Sequence, residues 1–135
     1  MENNKPCIYR KEIKIKFSSS KYEYSFEPKD GYEPVSFVNE LLYTDIRAYE
    51  IVGIKKKSIE IRELDAKQTG KLVQYAGGFS AHTENSSQKW ELTSNPQNRI
   101  KELSLRKDGC WREIGQSQGR FRPVPEPCYY YDFNF

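Results

Sequence analysis

The sequence predicts a mainly β protein, at most a small α+β one: an antiparallel β-sheet of hairpins with one or two short helices at most. Three observations carry this. Apolar and polar residues alternate over short runs, turn-forming residues interrupt those runs every few positions, and no 3.6-residue apolar period lasts long enough for a substantial helix. Ile13, Ile15 and Phe17 alternate with Lys14 and Lys16, and after a turn at 18–21, Tyr22, Tyr24 and Phe26 alternate with Glu23 and Ser25. The two runs read as one hairpin with an aromatic face. Residues 28–34 read as a loop, with Asp30-Gly31 as its turn signal. Residues 35–43 are ambiguous: Phe37, Val38, Leu41 and Leu42 fit one face of a short helix, or the segment leads into a strand.

Residues 48–54 and 59–64 form a second expected hairpin across Lys55-Lys56-Lys57-Ser58, read as a solvated turn. Residues 66–87 form a long polar stretch containing Tyr75, Phe79 and His82. Strands are expected again at 89–93, 99–106 and 110–114. Asn95–Asn98 forms a turn between the first two, and Lys107-Asp108-Gly109 a tight hairpin turn between the last two. A short strand at 120–124 contains Pro123, whose missing N–H suggests a sheet edge. The chain ends in Tyr129-Tyr130-Tyr131-Asp132-Phe133-Asn134-Phe135, an aromatic tail that must pack or join a sheet.

The 135 residues are one domain by length. Apolar residues are only 36% of the chain, but 10 Tyr, 7 Phe and 2 Trp argue against disorder and supply the material of a small aromatic core. The net charge of +3 is too mild to mark a nucleic-acid binder, so no DNA or RNA partner is expected. No apolar run is long enough for a membrane span, and residues 1–17 lack the apolar centre of a secretory signal, so no membrane partner is expected either. Three scattered cysteines, Cys7, Cys110 and Cys128, read as reduced thiols rather than a disulfide frame or zinc site.

Catalytic machinery is hard to find. His82 is the only histidine, no nucleophile elbow or phosphate-cradling glycine loop is present, and the acidic pairs look like ordinary solvent-face charges. The expectation is a protein that performs no chemistry, with no catalytic residue, metal or cofactor. Binding has better material. Arg47, Arg99, Arg106, Arg112, Arg120 and Arg122 sit beside turns and strand ends, near Tyr43, Phe79, Trp90, Trp111 and Phe121. Arginine grips phosphate with two parallel donors, and aromatic rings stack on bases, so this mixture suits a nucleotide site; it is also ordinary sheet-surface composition.

Three stretches carry a resemblance. They are Tyr43-Thr44-Asp45-Ile46-Arg47 through Val52, Trp90 through Asn98 followed by Leu105-Arg106-Lys107-Asp108-Gly109-Cys110-Trp111, and Tyr130-Tyr131-Asp132-Phe133-Asn134-Phe135. In this order they resemble a group of small phage and prophage proteins that includes the Thoeris anti-defence sponge proteins. The likeness spans residues 43–135; Ile46 departs from it, because the pattern has its arginine directly after the aspartate. The resemblance divides the single domain 1–135 into an N-terminal hairpin extension at 1–30 and a family-like β core at 31–135.

The resemblance implies a phage counter-defence protein in the cytoplasm of an infected bacterium. Such a protein would bind a cyclic ADP-ribose-type signal made by a TIR-domain immune enzyme and hold it intact, away from its effector. Some relatives also hold cyclic oligonucleotides. It further implies a homo-oligomer built from dimers. By motif position, Arg47 and Arg106 would meet phosphate with Arg122 as a third, and Asn98, Tyr43, Phe79 and Trp90 would supply stacking or edge contacts. For Tyr43 and Trp90 the competing role is core packing, and for Arg106 a solvated hairpin flank. Nanomolar binding needs about −12 kcal/mol, which one stack and two Arg–phosphate pairs reach only in a closed, preorganised site. Competing functions are an inhibitor that binds a host defence protein in the manner of an anti-CRISPR, a single-stranded nucleic-acid binder using Lys55–Lys57, and an enzyme using His82.

Overall fold

A computed structural model describes residues 5–16, 19–68 and 90–131. Among the described residues eleven strands follow one another: β1 Ile8–Lys16, β2 Ser19–Ser25, β3 Glu33–Val35, β4 Phe37–Leu41, β5 Ile46–Ile54, β6 Ser58–Glu63, β7 Asp65–Gln68, β8 Trp90–Thr93, β9 Ile100–Leu105, β10 Trp111–Glu113 and β11 Phe121–Val124. Every pairing is antiparallel, and the described residues contain no helix. The mainly β expectation holds.

Six strands close into a barrel in the order β10-β11-β4-β5-β6-β9. Its filling follows from register, because residues directly opposite each other share a face. Val38 lies opposite Tyr49, Ile51 opposite Ile61, Ile59 opposite Leu103, and Trp111 opposite Phe121. These eight form the core cluster together with Ile8 and Val35, each at most 6% exposed. The Tyr49 and Phe121 rings meet edge to face at 5.8 Å. Closure solves a composition problem. A chain poor in apolar residues buries them most efficiently around one axis, where each strand donates one face and no edge remains.

A three-stranded sheet, β2-β1-β3, lies against the barrel. Ile8 pairs with Val35 and both join the barrel's core cluster. Tyr24 packs its ring edge-on to Trp111 at 5.4 Å, and Phe26 lies 6.2 Å from the same indole. Arg10, 8% exposed, bolts the two layers together: Nη1 donates to the Pro123 carbonyl at 2.8 Å, Nε donates to Glu33 at 2.8 Å, and the guanidinium covers the Tyr22 ring at 4.1 Å. A second small sheet, β7 with β8, continues the β6–β9 pair beyond the barrel.

Several local expectations resolve or change. Of the two readings left open for residues 35–43, the strand holds, over Phe37–Leu41. The i, i+4 apolar pattern arises because both faces of β4 are covered: Val38 faces the core while Asn39, 9% exposed, accepts from the Cys128 N–H of the returning tail. The loop expected to 34 ends earlier, since Glu33 and Pro34 already pair with β1. Pro123 is not at an edge. β11 lies between β10 and β4, but β10 reaches only Phe121, so the proline sits past that pairing and its carbonyl takes the Arg10 proton instead.

The turn at 107–109 is a three-residue loop, closed by Arg106 N–H to the Cys110 carbonyl and Gly109 N–H to the Arg106 carbonyl, with Gly109 at φ +87°. The tail joins the fold as expected at one point, where Tyr130 and Ile46 exchange both backbone hydrogen bonds. Of the long stretch at 66–87, residues up to Gln68 belong to β7. Phe79, His82 and the final residues 132–135 lie outside the described residues.

Candidate functional site: a cationic groove beside the barrel

Strand β2 forms one wall of a groove, and the β9–β10 hairpin with the start of β11 forms the other. It has two adjoining lobes of about 340 and 420 Å³ that share Lys21, Tyr22, Tyr24 and Gly109. The wall positions follow from local sequence. Alternation in β2 turns Tyr22 and Tyr24 toward the barrel side, where Arg10 and Trp111 receive them. The Asp108-Gly109 turn brings the backbone close, since Asp108 accepts from the Cys110 N–H at 3.0 Å and Gly109 adopts the left-handed conformation with no side chain to fill the space.

The smaller lobe adds Arg120, Phe121, Arg122 and Cys110. Its lining holds three cationic side chains, Lys21, Arg120 and Arg122, and no carboxylate. Neither arginine takes part in any ion pair among the described residues, and both are exposed. The larger lobe adds Lys29, Tyr32, Arg106 and Lys107, with Glu23 and Asp108. Both carboxylates are engaged: Glu23 accepts from the Tyr32 hydroxyl at 3.0 Å, and Asp108 binds Arg112 at 3.0 Å. Asp108 is held below the usual carboxylate range chiefly by its hydrogen bond from Cys110, with Arg112 assisting. Burial pushes the Tyr24 phenol up, while the cations of Arg10 and Arg122 pull it the other way. The groove is therefore a cation-rich slot walled by tyrosines, chemically suited to an anion joined to a flat ring.

The expected site residues separate. Arg106 and Arg122 both line the groove, but Arg106 is committed: Nε donates to Ser104 at 3.1 Å and Nη2 to the Glu113 carbonyl at 2.9 Å, so it braces the hairpin. Arg47, Trp90 and Asn98 do not line it. They gather at the rim where β5 begins and β6 ends. Asn98 donates to the Glu63 carbonyl and to Asp65, each at 2.9 Å, clasping the turn to β7. Trp90 packs on Tyr129 with centroids 4.5 Å apart. Burial raises the Tyr129 phenol, Arg47 opposes it, and Glu63 and Asp45 reinforce it, which locates those charges around one ring. Tyr43, 94% exposed, borders a shallow depression of about 460 Å³ with Leu42, Ile46, Arg120 and Tyr130. Phe79 lies outside the described residues.

Sequence reasoning missed Lys21, Tyr22, Tyr24 and Tyr32 as site residues. The aromatic face of the first hairpin was the available signal, and the Arg120-Phe121-Arg122 run was the second. Among the described residues, no three His, Cys, Asp or Glu side chains group to hold a metal ion, and no helix is long and apolar enough to cross a membrane. Compared with protein-family models, curated proteins and solved structures, the chain matches none.

Proposed function

We propose that this protein is a binding module that sequesters an anionic nucleotide signal without cleaving it, and that the groove between β2 and the β9–β10 hairpin is where the signal binds. One observation carries the reading. The lining of a lobe of about 340 Å³ holds three cations, Lys21, Arg120 and Arg122, and no carboxylate, with tyrosines in the wall. Like charges gathered at one place repel one another, so an arrangement of this kind favours the arrival of an anion. The motif resemblance supplies the particular ligand: a cyclic ADP-ribose-type signal from a TIR-domain immune enzyme, bound in the cytoplasm of an infected bacterium by a dimer-based phage protein. In that role Arg120, Arg122 and Lys21 meet the pyrophosphate, and a second copy closes the open side of the groove.

The test is a ligand challenge. Purified protein is incubated with the TIR-derived signal, unbound material is removed, and the protein is heat-denatured. Intact signal released on heating supports sequestration. A chemically altered product contradicts it and turns attention to His82. No depletion of the signal removes this ligand from the proposal.

A second reading has its own observation. Leu42 and Tyr43 project from the turn before β5, next to Tyr130 and the half-exposed Tyr131. An exposed apolar cluster of this kind suits a protein partner, as an inhibitor of a host defence enzyme would require. That reading expects a host protein to co-purify and no small molecule to be released.

A further inference from the structure

We infer that Tyr22 is the platform on which the groove stacks a purine ring, and that Arg10 is the positioning residue that makes it one. This rests on the groove being a nucleotide site, and it adds the side chain that stacks the base and the one that holds that side chain in place. Tyr22 lines both lobes, so a ligand that spans the groove must cross it. The guanidinium of Arg10 lies 4.1 Å from the ring centroid, close enough to cover one face.

Arg10 is itself fixed, with one nitrogen on the Pro123 carbonyl at 2.8 Å and another on Glu33 at 2.8 Å, and only 8% of it is exposed. One face of Tyr22 is thus held by a side chain anchored to the barrel. A ring held in this way loses little further freedom when a ligand arrives, which is the condition for a stack to contribute fully. The cation also draws electron density away from the covered face. The remaining face is left less negative, and electron-rich flat rings are the partners it favours. Purines fit that description better than uracil. The neighbouring Arg120 and Arg122 then stand where the phosphates of the same ligand would lie.

ADP, UDP and inorganic pyrophosphate separate the parts. In calorimetric titrations of the full chain, wild-type protein binds ADP several-fold more tightly than UDP, and both more tightly than pyrophosphate. Tyr22→Leu weakens ADP about thirtyfold, the middle of the range for one base–aromatic stack, brings ADP and UDP together, and leaves pyrophosphate unchanged. Tyr22→Phe keeps ADP binding, because the ring and not the hydroxyl is used. Arg10→Lys retains a cation but not the planar stack, and it narrows the ADP-over-UDP preference.

If Tyr22→Leu weakens pyrophosphate as much as ADP, or ADP and UDP bind alike to the wild type, the platform is overturned while the groove as an anion site stands. If none of the three probes is bound, both fall.

Discussion

Two regions of this protein hold nearly the same residue types and differ in how those residues are used. The rim where β5 begins and β6 ends contains Arg47, Asn98, Trp90 and Tyr129, with Glu40, Glu63 and Lys101 nearby. There Tyr49 donates to Glu40 at 2.6 Å, Lys101 donates to the Tyr49 hydroxyl at 3.4 Å, and Asn98 donates to the Glu63 carbonyl and to Asp65, while Arg47 makes no ion pair among the described residues but stands among Glu40, Glu63 and Asp45. The groove contains Lys21, Arg120 and Arg122, whose cations meet no carboxylate in their lobe. Composition and motif position cannot distinguish these two cases. What separates the two regions here is the company the cations keep: Glu40, Glu63 and Asp45 share the rim with Arg47, whereas no carboxylate lines the lobe of Arg120 and Arg122.

The comparison can be broken by mutation, and the largest effect is expected at the groove. Arg122→Glu should weaken binding of the cyclic signal at least 100-fold, because it removes a cation and places a carboxylate in the anion lobe; the melting temperature should be nearly unchanged, since the side chain is exposed. Arg47→Ala should change affinity less than twofold. A calorimetric titration of both variants reads the difference.

Next comes the bolt between the layers. Arg10→Ala removes two hydrogen bonds from a buried cation, including one to the Pro123 carbonyl, and should cost about 3 kcal/mol in urea denaturation. At the rim, Tyr49→Phe deletes the hydroxyl shared by Glu40 and Lys101 and should cost about 1–2 kcal/mol in the same assay without altering affinity. Gly109→Ala meets no neighbouring atom, but its φ of +87° is strained for alanine, so about 1–2 kcal/mol is expected, together with weaker binding, because Gly109 lines both lobes.

The smallest effect is on pH dependence. The phenols of Tyr24 and Tyr49 are raised in the folded chain, both chiefly by burial, with Glu40 adding to the second through its hydrogen bond. A raised phenol favours the fold while the unfolded phenol is still protonated. That advantage is present below about pH 10 and declines as pH climbs toward the folded values. Melting temperatures should therefore be flat from pH 7 to 9 and fall above 10, and Tyr49→Phe should fall less steeply.

The fold was legible wherever one face of a strand is solvated. Tyr22-Glu23-Tyr24 alternates openly and its tyrosines face the barrel; Ile13-Lys14-Ile15-Lys16 marks a strand too, but Ile8 and Arg10 are its inward residues and Ile15 is 59% exposed, so the apolar alternation there names the wrong face. The fold was illegible where both faces are covered. Around Val38 and Asn39 the period vanishes, because the tail packs on the outer face of β4. Pro123 misled because an edge and the end of a short pairing make the same demand on a missing N–H. The candidate site was half legible. Arg106 and Arg122 lie in the groove, but its other wall comes from β2, about a hundred positions earlier in the chain. Only tertiary packing, through Ile8, Val35 and Trp111, brings that wall into place. Arg47 and Asn98 have the right chemistry, yet their neighbours Glu63 and Asp65 come from another strand and are not visible in local sequence.

The most direct test of the central claim compares the two regions with a single ligand. The intact cyclic ADP-ribose-type signal is titrated calorimetrically into wild-type protein, an Arg120→Ala/Arg122→Ala variant and an Arg47→Ala variant, with melting temperatures measured in parallel. The account predicts tight binding to the wild type and to Arg47→Ala, and a loss of 100-fold or more in the double variant with its melting temperature preserved. Full affinity in the double variant, or a comparable loss in Arg47→Ala with the fold intact, would contradict it and move the site to the rim.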